Sequence, residues 1–242
     1  MAVPVCTPSS RRLSRLVGAA LLLGTLALTA CDSTGGEETT GPPLVPLAVG
    51  NYWRYERDYL GGAIRDSFEA SITGEITFRD RGTMRRAFAE HFRHIRDGSP
   101  PEFTFLRGNA EGGYYVFGGL ARTDTLLTSL LNYRYPAKVG EKWPLVRLSF
   151  SNERREFYRR DPLTMQLVAK DEPFVTPAGT FRCHVYKFSF KPSDDVLEEW
   201  DVYEYYAPGV GRVGEVVRGQ MDDRVINKLT LYDYHLNGSS PQ

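Results

Sequence analysis

The chain has 242 residues, with 30 basic and 30 acidic side chains and 41% hydrophobic residues. That length suits one large β domain or at most two small ones, and we expect one; balanced charge without a clustered basic face excludes a nucleic-acid partner. Aromatics at 12%, mostly Tyr and Phe, favour strands over helices.

Arg11, Arg12 and Arg15 precede an apolar run from Leu16 to Ala30, broken only by Gly18, Gly24, Thr25 and Thr29. These are the parts of an export signal, and the run is shorter than the roughly 18 to 20 residues that span a bilayer. Its end, Leu28-Thr29-Ala30-Cys31, resembles the lipobox of bacterial lipoprotein precursors at every position. In that family the cysteine thiol is lipidated and the chain is then cut before it. The resemblance therefore implies that residues 1–30 are a lipoprotein signal peptide and that Cys31 becomes an acylated N-terminus. It places the protein in the bacterial envelope, facing the periplasm or the cell surface. Without Arg11, Arg12 and Arg15 the mature chain carries 27 basic against 30 acidic side chains, a formal charge of −3. Cys6 leaves with the signal and Cys31 is consumed by lipid, so Cys183 has no intrachain partner and the core must supply the stability.

Residues 31–43 hold the lipidated cysteine and a tether; Asp32 to Pro43 contains no large apolar side chain, so it supplies reach. Residues 44–242 read as a single β-rich domain. It opens with Pro46-Leu47-Ala48-Val49-Gly50-Asn51-Tyr52-Trp53, a P-x-x-V-G-x-x-W unit that returns at Pro136-Ala137-Lys138-Val139-Gly140-Glu141-Lys142-Trp143. The repeat marks either two related halves of one sheet or a favoured way to begin a strand. Because the flanking residues do not align further, we read it as the second.

After Trp53 the period is two: Trp53, Tyr55 and Tyr59 alternate with Arg54, Glu56 and Asp58. The longest alternation sets Phe68, Ala70, Ile72, Ile76 and Phe78 against Ser67, Glu69, Ser71, Thr73, Glu75 and Thr77, the pattern of an antiparallel strand with one wet face. Residues 83–97 read either way, because Met84, Phe88, Phe92 and Ile95 have near-helical spacing while the position between strands favours a strand. Phe103 to Leu106 and Tyr114 to Phe117 predict a hairpin across 108–113. Leu126 to Leu131 fits a short helix or a strand. Pro177-Ala178-Gly179 is turn chemistry, and strands are expected near 181–190, 198–206, 212–218 and 225–235.

At Val175-x-Pro177-Ala178-Gly179-Thr180-Phe181 and Tyr205-Tyr206-Ala207-Pro208-Gly209-Val210-Gly211-x-Val213, together with the two tryptophan units, the chain resembles a group of uncharacterised bacterial envelope lipoproteins. That resemblance covers most of residues 44–220. It implies a LolA/LolB-like fold, a curved antiparallel half-barrel with little helix and an apolar concave face, and implies no reaction.

Motifs for chemistry are weak. Gly209-x-Gly211-x-x-Gly214 has the letters of a dinucleotide fingerprint, but Glu215-Val216-Val217 reads as a strand where that fingerprint needs a helix N-terminus. His91 and His94 face opposite sides of a strand and chelate one ion only on a helix, where a third ligand is still missing. The acidic residues Asp194, Asp195, Glu198, Glu199 and Asp201 lack the spacing of a calcium loop. Cys183 shares its strand face with Phe181 and Val185, as a small buried hydrophobe does. No serine-hydrolase or zinc-protease motif occurs. No metal or cofactor is expected, and the chain reads as non-enzymatic. The expected ligand is a hydrophobic small molecule or lipid on the concave face, with Phe68, Ile72, Ile76 and Phe78 on that face and Trp53 and Trp143 near its rim. The competing reading is a structural module whose work is contact with an envelope protein partner.

Overall fold

The computed structural model describes residues 41–80, 82–95, 103–192 and 197–237. Cys31 with its lipobox, and the tether up to residue 40, lie outside these residues, as do Asp194 and Asp195. Among the described residues there is no helix, and the strands are β1 (Tyr52–Tyr59), β2 (Ile64–Asp80), β3 (Thr83–His94), β4 (Phe103–Ala110), β5 (Gly113–Ala121), β6 (Thr125–Arg134), β7 (Lys142–Leu145), β8 (Leu148–Ser151), β9 (Glu156–Arg159), β10 (Leu163–Thr176), β11 (Gly179–Phe190), β12 (Trp200–Ala207), β13 (Gly211–Gly219) and β14 (Val225–His235). Segment 83–97 thus folds as strand up to His94, and Leu126 to Leu131 is strand as well. β3 pairs with β2 on one side and β4 on the other, and β6 pairs with β5, which satisfies backbone groups that an isolated short helix could not bury here.

Twelve strands form one antiparallel sheet in the order β6-β5-β4-β3-β2-β1-β14-β13-β12-β11-β10-β7, and β8 pairs with β9 as a separate hairpin. The sheet is two six-stranded meanders, β1 to β6 and β7 with β10 to β14, joined where β1 pairs with β14. Bulges recur along it, among them Arg54/Tyr55, Ile72/Gly74, Leu106/Arg107 and Tyr205/Tyr206. Each adds local twist, and the sheet curls until its outer strands approach: Trp143 Nε1 donates to Asn132 O at 3.1 Å, and Arg134 stands 2.6 Å from Glu141. The result is a curved, nearly closed barrel.

The two tryptophan units occupy equivalent places in the two meanders. Gly50 and Gly140 have φ of +93° and +88°, which glycine adopts without a Cβ clash. Gly50 N–H bonds Ile72 O at 2.8 Å and Gly140 N–H bonds Leu167 O at 2.7 Å; Ile72 and Leu167 donate back to Asn51 O and Glu141 O at 2.8 and 3.1 Å. Trp53 then pairs with Ala70 and Trp143 with Met165. The same residues make the same turn and each copy opens one meander, so the repeat marks the two halves of the sheet as well as a strand opening. The narrower reading preferred from sequence is corrected.

One end of the barrel is plugged by the incoming chain. Leu44 and Val45 are buried, Pro43 O accepts from Gly209 N at 2.7 Å, and Asn109 Nδ2 donates to Val45 O at 2.9 Å. Contacts to the barrel therefore begin inside the segment read as tether, because Pro42 O also accepts from the Tyr135 hydroxyl at 3.2 Å. Asn51, fully buried, donates to Pro46 O at 3.0 Å and accepts from Asn237 N at 2.7 Å, which fixes this plug to the end of β14.

Strand β2 corrects the single apolar face read from its alternation. Ile72 pairs with Glu90 but Gly74 pairs with Ala89, so Thr73 is the extra residue of a bulge. Neighbouring residues of β3 point to opposite faces; the phase of β2 therefore inverts at Thr73. Phe68 and Ile72 belong to the main core, whereas Ile76 and Phe78 pack on a separate cluster with Ala87, Leu106 and Phe117.

Candidate functional site

Residues that face the barrel interior are mostly aromatic or aliphatic, but several positions of that inward phase are charged. On β3 the phase runs Phe88-x-Glu90-x-Phe92, and on β12 Val202-x-Glu204-x-Tyr206; Arg107, Arg212 and Glu215 join from β4 and β13. They line or back a cavity of about 190 Å³, whose wall also includes Val45, Trp53, Tyr55, Tyr114, Val116, Asn132, Tyr133 and Arg147.

The buried charges are mostly paired, as burial requires. Arg107 Nε lies 2.7 Å from Glu90 Oε2, with its guanidinium 4.9 Å from the centre of the Phe105 ring. Burial pulls the Arg107 guanidinium down, and the charge of Glu90, its hydrogen bond and the neighbouring Tyr114 and Tyr206 hydroxyls together more than reverse this, so it holds its proton more tightly than in water. Arg212 stands 3.7 Å from Glu204 and 3.5 Å from Glu215, and its carbonyl accepts the Tyr55 hydroxyl at 2.9 Å. Tyr133 donates to Glu204 Oε2 at 2.5 Å, and its ring centre lies 4.4 Å from that of Tyr206. Burial, then the charge of Glu215, raise the Glu204 carboxyl above its ordinary range against the pull of Arg212. Burial pushes the Tyr55 hydroxyl up to about 12 and drives Tyr133 and Tyr206 well above the usual phenol range. These hydroxyls are therefore hydrogen-bonding groups at neutral pH and not nucleophiles.

Two polar groups of the wall stand apart from this pairing. The buried Asn132 Oδ1 accepts no hydrogen bond. Arg147, on the link between β7 and β8, has no carboxylate within ion-pair distance among the described residues; its guanidinium lies 5.3 Å from the Phe188 ring centre and 5.7 Å from that of Phe190.

Of the residues singled out from sequence, Trp53 lines this cavity, buried and donating to Val210 O at 2.7 Å. Phe68, Ile72 and Trp143 are core residues beyond the cavity wall, and Ile76 and Phe78 are in the separate cluster described above. His91 and His94 fall on opposite faces of β3, with His94 Nδ1 2.8 Å from Asp66. Gly209 sits in the turn between β12 and β13 and the residues after Gly211 are strand, which rules out a pyrophosphate-binding helix there. Cys183 is fully buried, and burial pushes its thiol up to about 12. The charged lining went unread in the sequence. Its signal was available: a glutamate in the apolar phase of a strand, at Glu90 and Glu204, marks a polar group that the fold buries.

No protein-family model matches the chain, and a search of characterised proteins by sequence finds no match. Among solved structures the chain is similar to a candidate lipoprotein from Parabacteroides distasonis, at TM-score 0.45 and 13% identity over 81% of this chain and 99% of that one. It is also similar to a candidate exported protein with a YmcC-like fold from Bacteroides fragilis, at TM-score 0.44 and 14% identity over 80% of this chain and 99% of that one.

Proposed function

We propose that this chain is a lipid-anchored, non-enzymatic binding protein of the bacterial envelope, which takes part of an amphipathic molecule into the barrel interior. The observation that carries the reading is the cavity itself. A β domain stabilised by packing alone fills its interior to the density of an organic crystal, whereas this one keeps about 190 Å³ open and lines it with aromatic rings, an unpartnered Asn132 Oδ1 and the Arg147 guanidinium, which has no carboxylate within ion-pair distance among the described residues. The sequence expectation of a purely hydrophobic ligand is narrowed accordingly, because the wall is half polar. A curved antiparallel sheet around an internal space is also what the resemblance to LolA and LolB implied, which supports an acyl chain or a lipid fragment as the apolar part of the cargo.

The raised carboxyl of Glu204 is the one observation on the side of an enzyme, since a general acid needs such a shift. Tyr133 occupies one of its oxygens and Arg212 faces the other, so the group serves the wall.

The test is saturable binding. The full chain held in phosphatidylcholine nanodiscs should bind a fluorescent fatty alcohol at one site, and Val116→Phe, which fills the cavity, should abolish binding while leaving the melting curve cooperative. Absence of saturable binding by the native protein would remove this reading.

A further inference from the structure

Arg147 borders two spaces. It lines the interior cavity, and it also lines an outer cleft of about 550 Å³ with Tyr158, Arg159, Arg160, Asp161, Leu163, Phe190 and Lys191. The cleft lies beside the β8–β9 hairpin, which is held on the barrel by Phe157 packing over Gly119, where a Cβ would collide with the ring, and by Asp124 accepting from Phe157 N at 2.6 Å. Successive turns of an antiparallel meander alternate between its two ends. Arg147 follows β7 toward the end opposite the one plugged by Leu44 and Val45.

Arg147, Arg159 and Arg160 share the lining of the outer cleft with one carboxylate, Asp161, which is within ion-pair distance of none of them. Among the described residues Arg147, Arg159 and Arg160 have no ion-pair partner; Arg160 Nε donates to Ser149 Oγ at 2.9 Å and Arg159 to Thr128 Oγ1 at 2.8 Å. These neutral acceptors orient the cations and leave their charge unspent. Burial, and next the like charge of Arg160, weaken the hold of Arg147 on its proton, against the more distant pull of Glu204 and Glu215 across the cavity. A partly buried cation beside another cation is costly unless an anion joins it, and the planar fork of arginine matches a phosphate or carboxylate. Phe188 and Phe190 beneath the Arg147 guanidinium extend an apolar wall from that point.

We propose that Arg147, with Arg160 and Arg159, binds the anionic group of an amphipathic ligand, a phosphate or a carboxylate, at the junction of the outer cleft and the interior cavity. This rests on the binding reading above and adds the charge of the ligand to it. Asn132 Oδ1, on the cavity side, is the acceptor for a donor group of the same molecule.

Octanoate, octyl phosphate, octanol and inorganic phosphate, competed against the fluorescent fatty alcohol on the full chain in phosphatidylcholine nanodiscs, test it. The anionic amphiphiles should displace the probe better than octanol by about tenfold to a hundredfold, the range of a charge-assisted hydrogen-bond pair. Arg147→Gln should erase that advantage and leave octanol unchanged; Arg147→Lys should keep part of it. Displacement by inorganic phosphate as strong as by octyl phosphate would identify a free anion as the ligand. Weak inorganic phosphate with strong octyl phosphate, and competition from phosphatidylglycerol added to the discs, would identify a lipid headgroup. Equal displacement by octanol and octyl phosphate, or an Arg147→Gln protein that still prefers the anions, would overturn the inference while the cavity reading stands. A native protein that binds no probe at all would remove the cavity reading instead.

Discussion

The Trp143 indole donates to the Asn132 carbonyl at 3.1 Å, and this bond joins the two outermost strands of the twelve-stranded sheet. An edge strand presents unpaired backbone groups and is a liability, and here a side chain takes one of them. Trp143→Phe should keep most of the packing and lose the hydrogen bond, at about 1 kcal/mol, which for a domain of this size is a fall in Tm of about 2–4 °C. Amide exchange should quicken in β6 and stay unchanged in β1 and β14. Unaltered β6 exchange in Trp143→Phe would show that the seam is held by something else.

The two glycines of the repeated unit allow a matched comparison. Gly140 has no atom near the position a Cβ would take, so Gly140→Ala tests backbone strain alone and should cost about 1–2 kcal/mol. Gly50→Ala should cost more, because its Cβ would meet the Asn237 amide. Urea denaturation gives both numbers, and a Gly140→Ala protein as stable as the native one would contradict the strained turn.

Glu90 and Arg107 form the best-enclosed ion pair of the wall. Removing one member leaves the other buried and uncompensated, so Glu90→Gln should cost about 3–5 kcal/mol, whereas Glu90→Gln with Arg107→Met should be much milder because no lone charge remains. Equal losses in the single and double variants would mean that the pair matters for shape and not for charge.

Glu204 gives the domain a pH dependence of defined sign. Its carboxyl is raised in the folded protein, so its contribution to stability is fully present below the ordinary carboxylate range and is lost as the pH rises through the folded value. Glu204→Gln cannot ionise and still accepts from Tyr133. Its urea midpoint should vary less than that of the native protein between pH 5 and pH 8, with a gain at the upper end. A native midpoint that climbs through this window, with Glu204→Gln following it, would assign the dependence to other groups.

The sequence announces the strands through alternation, and it announces the turn at Pro177-Ala178 and a hairpin across 108–113 through residue type; the structure tightens that hairpin to the two-residue turn Glu111-Gly112, because 108–110 pair with 113–115. The interior was not readable to the same extent. A bulge is one residue out of phase, and nothing in Ile72-Thr73-Gly74 distinguishes it from a regular strand until Glu90 and Ala89 are seen opposite. Assigning Ile76 and Phe78 to the face of Phe68 and Ile72 follows from assuming an unbroken period. Arg147 carries no pattern at all, because its place at the junction of two spaces depends on β7 ending after four residues and on the hairpin that follows.

The anchor is the remaining expectation, and its physical chemistry is well defined. One acyl chain gives marginal membrane binding; two or more, at about 0.8 kcal/mol for each buried CH2, hold a protein stably. A lipoprotein N-terminus carries at least two, so the mature protein should resist high-salt washing and leave membranes only with detergent. Cys31→Ser removes the thiol that accepts the diacylglyceryl group, and in lipoprotein maturation the peptidase acts after that step. The variant should therefore accumulate uncut, held by the apolar run from Leu16 to Ala30. A chain beginning at Ser33 behind a conventional cleavable signal should be soluble and melt at the temperature of the native domain. If Cys31→Ser were instead cut before residue 31 and still sedimented with membranes after salt, the lipid would not be the anchor, and a surface of the barrel would have to hold it there.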